Sequence, residues 1–120
     1  MHSFLCENMK KTEMLKKNYE FRFVLNKGKY CAGKNIESFF INNNLQKNKI
    51  GIAIKTKVGK AVKRNRLKRL IKESYRLNEE KLEVGKSIVF LIKKNCDVNE
   101  VSFHEIEKDM KFILEKIRTN

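Results

Sequence analysis

The sequence predicts an α+β fold, a small mixed sheet with helices packed on it in the order α-β-β-α-β-α. Three observations carry this. Ile50, Ile52 and Ile54 alternate with Gly51, Ala53 and Lys55, the period of two that marks a strand with one bulky and one small face. Ile88-Val89-Phe90-Leu91-Ile92 is an unbroken apolar run, the pattern of a strand buried on both faces. A helical pattern lies between these runs, so strand, helix and strand follow within about forty residues, the span of a parallel crossover pair.

Along the chain, residues 1–13 are polar and aperiodic and read as a mobile basic arm. Asn18 to Lys27 reads as a short helix, with Asn18 as N-cap and Gly28 as the residue just past its end. Phe21, Val24 and Leu25 share one face of it, while Tyr19 and Phe23 stand on the opposite face. A short helix apolar on two sides must bury both or show one to a ligand. Ile36 to Asn42 reads as a strand because Phe39, Phe40 and Ile41 favour extended backbone. The Asn/Gln/Lys cluster from Asn42 to Lys49 reads as a loop, and the strands on its two sides are expected to pair as an antiparallel hairpin. A basic helix follows, then a polar break from Asn78 to Gly85 and the strand Ser87–Lys93. Last, Ser102-Phe103-His104-Glu105 fits a capping box. Phe103, Ile106, Met110, Ile113, Leu114 and Ile117 then form the stripe of a long amphipathic helix.

The chain of 120 residues suits one domain with a core that needs no disulfide or metal. Lys and Arg number 28 against 14 Asp and Glu, a formal charge of +14. That excess favours a polyanionic partner, nucleic acid before an anionic membrane surface. The longest apolar run is far too short to cross a membrane, and MHSFLCENMKK has no signal-peptide pattern, so a cytoplasmic protein is expected. Cys6, Cys31 and Cys96 lack zinc spacing and read as free thiols. His2 and His104 are isolated, and the scattered acids give no acid/base pair, which argues against a protein-only nuclease site.

The stretch VGKAVKRNRLKRLIKESYR, from Val58 to Arg76, holds eight Lys or Arg in nineteen positions and a single acid, Glu73. Leu67, Leu70, Ile71, Ser74 and Tyr75 make one helical stripe that anchors it to the sheet. Asn65, Arg69, Lys72 and Arg76 fall on the far side, with Arg66 and Lys68 flanking the stripe. Lys63 and Arg64 fall within the stripe's own angular range, so the first turn is expected to overhang the core with its charges outward. A solvated face usually mixes signs for pairing one turn apart, and this one does not. Nucleic acid is therefore the expected ligand, and RNA suits it better than a duplex read by helix-turn-helix, because the preceding segment reads as a strand.

The run Lys57 to Glu73, with its Arg64-Asn65-Arg66 core and the Lys68-Arg69 pair, closely resembles the signature of the bacterial ribonuclease P protein subunit. Leu15-Lys16-Lys17-Asn18-Tyr19-Glu20-Phe21, then Asn26-Lys27-Gly28-Lys29 and Ile50-Gly51, resemble that family in order and spacing, over roughly residues 14–118. The resemblance implies a two-layer sandwich like the second domain of ribosomal protein S5, with a left-handed β-α-β crossover, where general rules give right-handed in about 98% of cases. It implies an accessory protein for a catalytic RNA that removes the 5′ leader of precursor tRNA, with Mg²⁺ held mainly by the RNA. One protein is expected per RNA, with no membrane partner. Lys60, Arg64, Asn65, Arg66, Lys68, Arg69 and Lys72 map onto the contacts to the catalytic RNA, and Phe21, Leu25 and Phe39 onto the leader cleft. Two departures stand out. Lys55-Thr56-Lys57 replaces the family's Ser-Lys-Lys, and the C-terminal residues Ile117-Arg118-Thr119-Asn120 lack an aromatic. The residue-level alternative is a structural RNA-binding protein, such as a ribosomal or assembly factor, which would need neither the ordered motif set nor an aromatic cleft.

Overall fold

Residues 11–119, which the computed structural model describes, form β1 (Thr12–Met14), α1 (Asn18–Lys27), β2 (Lys29–Ala32), β3 (Ile36–Asn42), β4 (Asn48–Ala53), α2 (Ala61–Asn78), β5 (Lys86–Ile92) and α3 (Phe103–Arg118). Short 3₁₀ turns at Thr56–Val58 and Glu79–Lys81 flank α2. The strands make one mixed sheet in the order β1-β4-β5-β3-β2. β5 lies at its centre, parallel to β4 and antiparallel to β3.

This corrects the expected hairpin, because β3 and β4 are not neighbours. The unbroken apolar run of β5 must be covered on both faces, and the sheet meets that need by seating β5 between them. Two short edge strands were not expected. β2 pairs antiparallel with β3, and β1 pairs parallel with β4. The end of the expected arm is corrected, since Thr12 and Glu13 belong to β1; the rest of that expectation, residues 1–10, lies outside the described residues. Thr12 is buried, with its hydroxyl 2.8 Å from that of Tyr75 and bonded to the Glu79 carboxylate.

Strand alternation sorts side chains between two cores. Ile36, Phe40, Ile50, Ile88 and Phe90 face α2 and α3, where Leu67, Ile71, Tyr75, Ile106, Met110, Ile113, Leu114 and Ile117 complete the main core. Phe39, Ala53, Val89 and Leu91 face the other way, where α1 covers part of the sheet with Phe21, Val24 and Leu25. The crossover from β4 through α2 to β5 is left-handed, and chirality fixes this. The Ile50 side chain faces α2, while its carbonyl accepts from the Leu15 N–H at the β1 edge, 2.7 Å away. Viewed from the helix side with β4 pointing up, an L residue facing the viewer turns its backbone polar groups to the right. That places β1 on the right and β5 on the left, so the chain steps leftward over the helix face.

Local signals hold with two corrections. α1 has the expected bounds, but its N-cap is Lys17 rather than Asn18. The Glu20 carboxylate accepts there from the backbone N–H groups of Lys17 (3.1 Å) and Lys16 (3.3 Å). Gly28 ends α1 in extended rather than left-handed backbone, and a Cβ there would lie 2.5 Å from the Val24 carbonyl oxygen. Its need is close approach. At α3 the capping box forms as expected, Ser102 and Glu105 each accepting from the other's backbone N–H at 3.2 Å. The buried Asp109 of α3 accepts from the N–H groups of Lys34, Asn35 and Ile36 at 3.1, 2.6 and 3.2 Å, clamping the β2–β3 turn to the helix.

Candidate nucleic-acid interface

α2 has no side-chain N-cap and no acid in its first turn, where Lys63 and Arg64 add like charge to the positive end of the helix dipole. Tertiary burial of Leu67, Ile71, Ser74, Tyr75 and Asn78 holds it instead. The overhanging first turn is as expected in that Lys63 is exposed, yet its ammonium is bonded to Asn99. Arg64 folds back to donate to the Gly59 carbonyl (2.6 Å), which ties down the loop before the helix. Arg66 donates to the Val101 carbonyl (2.7 Å) and staples α2 to the approach to α3. On the far face Glu73 pairs with Arg76, whose hydrogen bond holds the Glu73 carboxyl below the usual carboxylate range.

Asn65, Lys68, Arg69 and Lys72 line one open cleft of ≈ 730 Å³, and its other wall includes Met14, Leu15, Phe21 and Ile52. Cations from the main-face helix thus meet an aromatic ring from α1, because both reach round the same sheet edge. β1 ends at Met14, level with Ile50, and leaves the rest of the β4 edge uncovered by a strand. Phe21 reaches the edge by lying on Gly51, where a Cβ would come within 2.4 Å of its ring. The sequence's small-residue face on β4 is therefore the seat of the ring. Lys60 is exposed at the N-cap of α2 and, with Arg64 and Arg66, does not line this cleft.

Leu25 and Phe39 are half-buried with Phe21 in the α1-side cluster. Phe39 meets Tyr30 edge-on, with ring centroids 5.2 Å apart. Ala53, Leu91 and Glu37 lie abreast across the next row of strands, by register. That row lines a second cleft of ≈ 620 Å³, closed by Lys55, Lys57, Lys93 and Lys94. Tyr30, Lys93 and Lys94 belong to none of the motifs in the sequence. The signal available for the lysine pair was its place directly after the central strand, at the end where parallel strands collect ligands. Of the two apolar faces of α1, the one that stays out of the core is that of Tyr19 and Phe23, which are 65% and 55% exposed.

Both clefts are walled by cations and floored by apolar or aromatic groups, a combination that can hold phosphates and bases of a single strand. Among the described residues no group of three His, Cys, Asp or Glu side chains is placed to hold a metal ion. Cys31 and Cys96 are free thiols whose pKa is pushed up by burial, so they are poor nucleophiles; Cys6 lies outside the described residues. Among the described residues no helix is long and apolar enough to cross a membrane.

The ribonuclease P family model matches residues 9–118. The chain is 43% identical over 110 residues to the ribonuclease P protein component of Alkaliphilus metalliredigens, covering 92% of this chain and 97% of that one. It is 38% identical over 107 residues to the corresponding protein of Clostridioides difficile, covering 88% and 92%. The fold is similar to that of the RNase P protein from Thermotoga maritima, with a TM-score of 0.79 at 27% identity over 87% of this chain and 96% of that one. The Staphylococcus aureus RNase P protein gives a TM-score of 0.76 at 24% identity, over 88% and 94%, and supports the fold alone.

Proposed function

The chain belongs to the ribonuclease P protein family, and from that premise we propose how it serves as the accessory protein of that tRNA-processing endoribonuclease. The partner is a catalytic RNA in a cytoplasmic ribonucleoprotein, one protein per RNA, and the substrate is precursor tRNA. Lys68, Arg69 and Lys72, with Lys60, neutralise RNA phosphates, and the Asn65 amide helps position them. Phe21, Leu25 and Phe39 receive bases of the 5′ leader, whose backbone on the side of the cleavage site passes Lys55, Lys57, Lys93 and Lys94. Arg64 and Arg66 act chiefly by fixing the N-terminal half of α2 to the loop before it and to the approach to α3, since their guanidinium groups donate to the Gly59 and Val101 carbonyls.

One observation carries this reading: Phe21 shares a single cleft with Asn65, Lys68, Arg69 and Lys72. A leader held there touches both the aromatic floor and the helix that faces the catalytic RNA. Contact with a leader that mature tRNA lacks lets the complex prefer substrate over product. Mg²⁺ would be held by the RNA rather than by the walls of this cleft, which present Lys68, Arg69 and Lys72, and would there supply water activation and stabilisation of the leaving oxygen.

The test is reconstitution at low Mg²⁺ with a bacterial ribonuclease P RNA and 5′-labelled precursor tRNA. Leader removal is expected only when protein and RNA are both present. Phe21→Ala is expected to weaken precursor binding within the complex, and Arg69→Ala to weaken assembly with the RNA. Tight RNA binding without stimulated cleavage would favour a purely structural RNA-binding protein. Cleavage by protein alone would overturn the assignment of catalysis to RNA.

A further inference from the structure

α1 has a second face that the leader cleft does not use. Tyr19, Arg22, Phe23 and Asn26 recur at the spacing of one helical stripe, and all four are exposed. Tyr19 and Phe23 stand one turn apart, so their rings project side by side, roughly 6 Å between Cβ atoms. The Lys17 ammonium lies 5.9 Å from the centre of the Tyr19 ring. The one acid of α1, Glu20, turns away from this stripe toward Lys49 (3.2 Å) and the backbone at the helix start. Two bare rings interleaved with Lys17 and Arg22, and free of negative charge, fit a polyanion with unstacked planar groups. A second copy of this chain fits poorly, since a charge of +14 opposes self-association.

We propose that Tyr19 and Phe23 form a second stacking site on the outer face of α1 for single-stranded RNA, occupied by the part of the 5′ leader farthest from the cleavage site. This rests on the leader reading given above. The two faces of one short helix would then hold successive parts of one strand, Phe21 and Leu25 the near nucleotides and Tyr19 and Phe23 the far ones. Arg22 and Lys17 meet the backbone between them. Leader length, beyond what the cleft spans, becomes a determinant of substrate affinity.

The experiment measures precursor affinity of the reconstituted complex by fluorescence anisotropy, with two precursors that differ only in leader length. One carries an extended leader, the other a leader cut back to the nucleotides nearest the cleavage site. Tyr19→Ala and Phe23→Ala are each expected to lower affinity for the extended leader by roughly five- to tenfold, the low end for a base stacked on one ring. The cut-back leader is expected to show no such loss, and Tyr19→Phe, which keeps the ring, to restore affinity. Equal losses on both precursors, or no loss on either, would overturn the proposal. A change in self-association of the protein by sedimentation, without dependence on leader length, would assign the face to a second copy and overturn it too. Phe21→Ala separates the two readings. If it weakens both precursors while the outer-face variants do nothing, only this site fails; if it weakens neither, the leader reading itself fails.

Discussion

Arg66 and Arg69 stand three residues apart on α2 with different work to do. Arg66 is half-buried and donates to the Val101 carbonyl, whereas Arg69 is exposed on the cleft wall. Arg66→Ala is expected to cost about 1–2 kcal/mol by leaving that carbonyl unpaired, seen as a lower melting temperature. Arg69→Ala should leave the unfolding free energy within about 0.5 kcal/mol of unchanged while weakening RNA binding. Gly51→Ala tests the seat of Phe21 from beneath. An added Cβ 2.4 Å from the ring forces Phe21 to move, so precursor affinity should fall while assembly with the catalytic RNA changes little. Tyr75 gives a pH signature. Burial, opposed by the hydrogen bond to Thr12 and reinforced by Glu79, pushes its phenol up to about 12. A raised pKa means the fold favours the neutral phenol. Its contribution of about 2–3 kcal/mol is therefore present below pH 10 and lost between about pH 10 and 12. Unfolding against pH should show this alkaline loss in the wild type and a shallower one in Tyr75→Phe.

At the scale of elements, α2 is a helix whose start is poorly built for stability and well built for anions. Its N-cap, Lys60, already has extended backbone (φ −65°, ψ 159°) but offers no acceptor to the free N–H groups of the first turn. Lys60→Asp supplies that acceptor and a favourable charge at the helix start, and should stabilise the protein by about 1 kcal/mol. The same change removes a cation from the RNA-facing end. Higher melting temperature with lower RNA affinity is the expected pair of results, and a rise in both would show that Lys60 meets no phosphate. The α3 end of the fold depends on Asp109 in the opposite way. Its carboxylate gathers three N–H groups of the β2–β3 turn, so Asp109→Ala should cost on the order of 3 kcal/mol and loosen β2, measurable as faster amide exchange at Lys34–Ile36.

For the molecule as a whole, 28 basic against 14 acidic residues set both affinity and its salt dependence. If about six side chains reach phosphates, affinity for the catalytic RNA should fall about a thousandfold between 50 and 200 mM salt, through counterion release. Leader binding inside the complex, resting more on aromatic contact, should fall less steeply. Titrations at several salt concentrations, comparing slopes for the two steps, check this.

The amino-acid sequence by itself determined what is local: the bounds of α1 and β3, the stripe of α2, the capping box of α3, and the large and small faces of β4. Each follows from side-chain periodicity or a cap within one or two turns of chain. The family was also legible, because its motif is contiguous. Only the tertiary structure decided which strands meet. The apolar run of β5 needed cover on both faces, and that need placed it between β3 and β4 and cancelled the hairpin that their succession along the chain suggested. The edge strands β1 and β2 were too short to show a period of their own and exist because longer strands template them. Side-chain destinations were decided there as well. Arg64, Arg66 and Arg69 look alike in a basic run, but only a folded chain brings the Gly59 and Val101 carbonyls to the first two and an open cleft to the third.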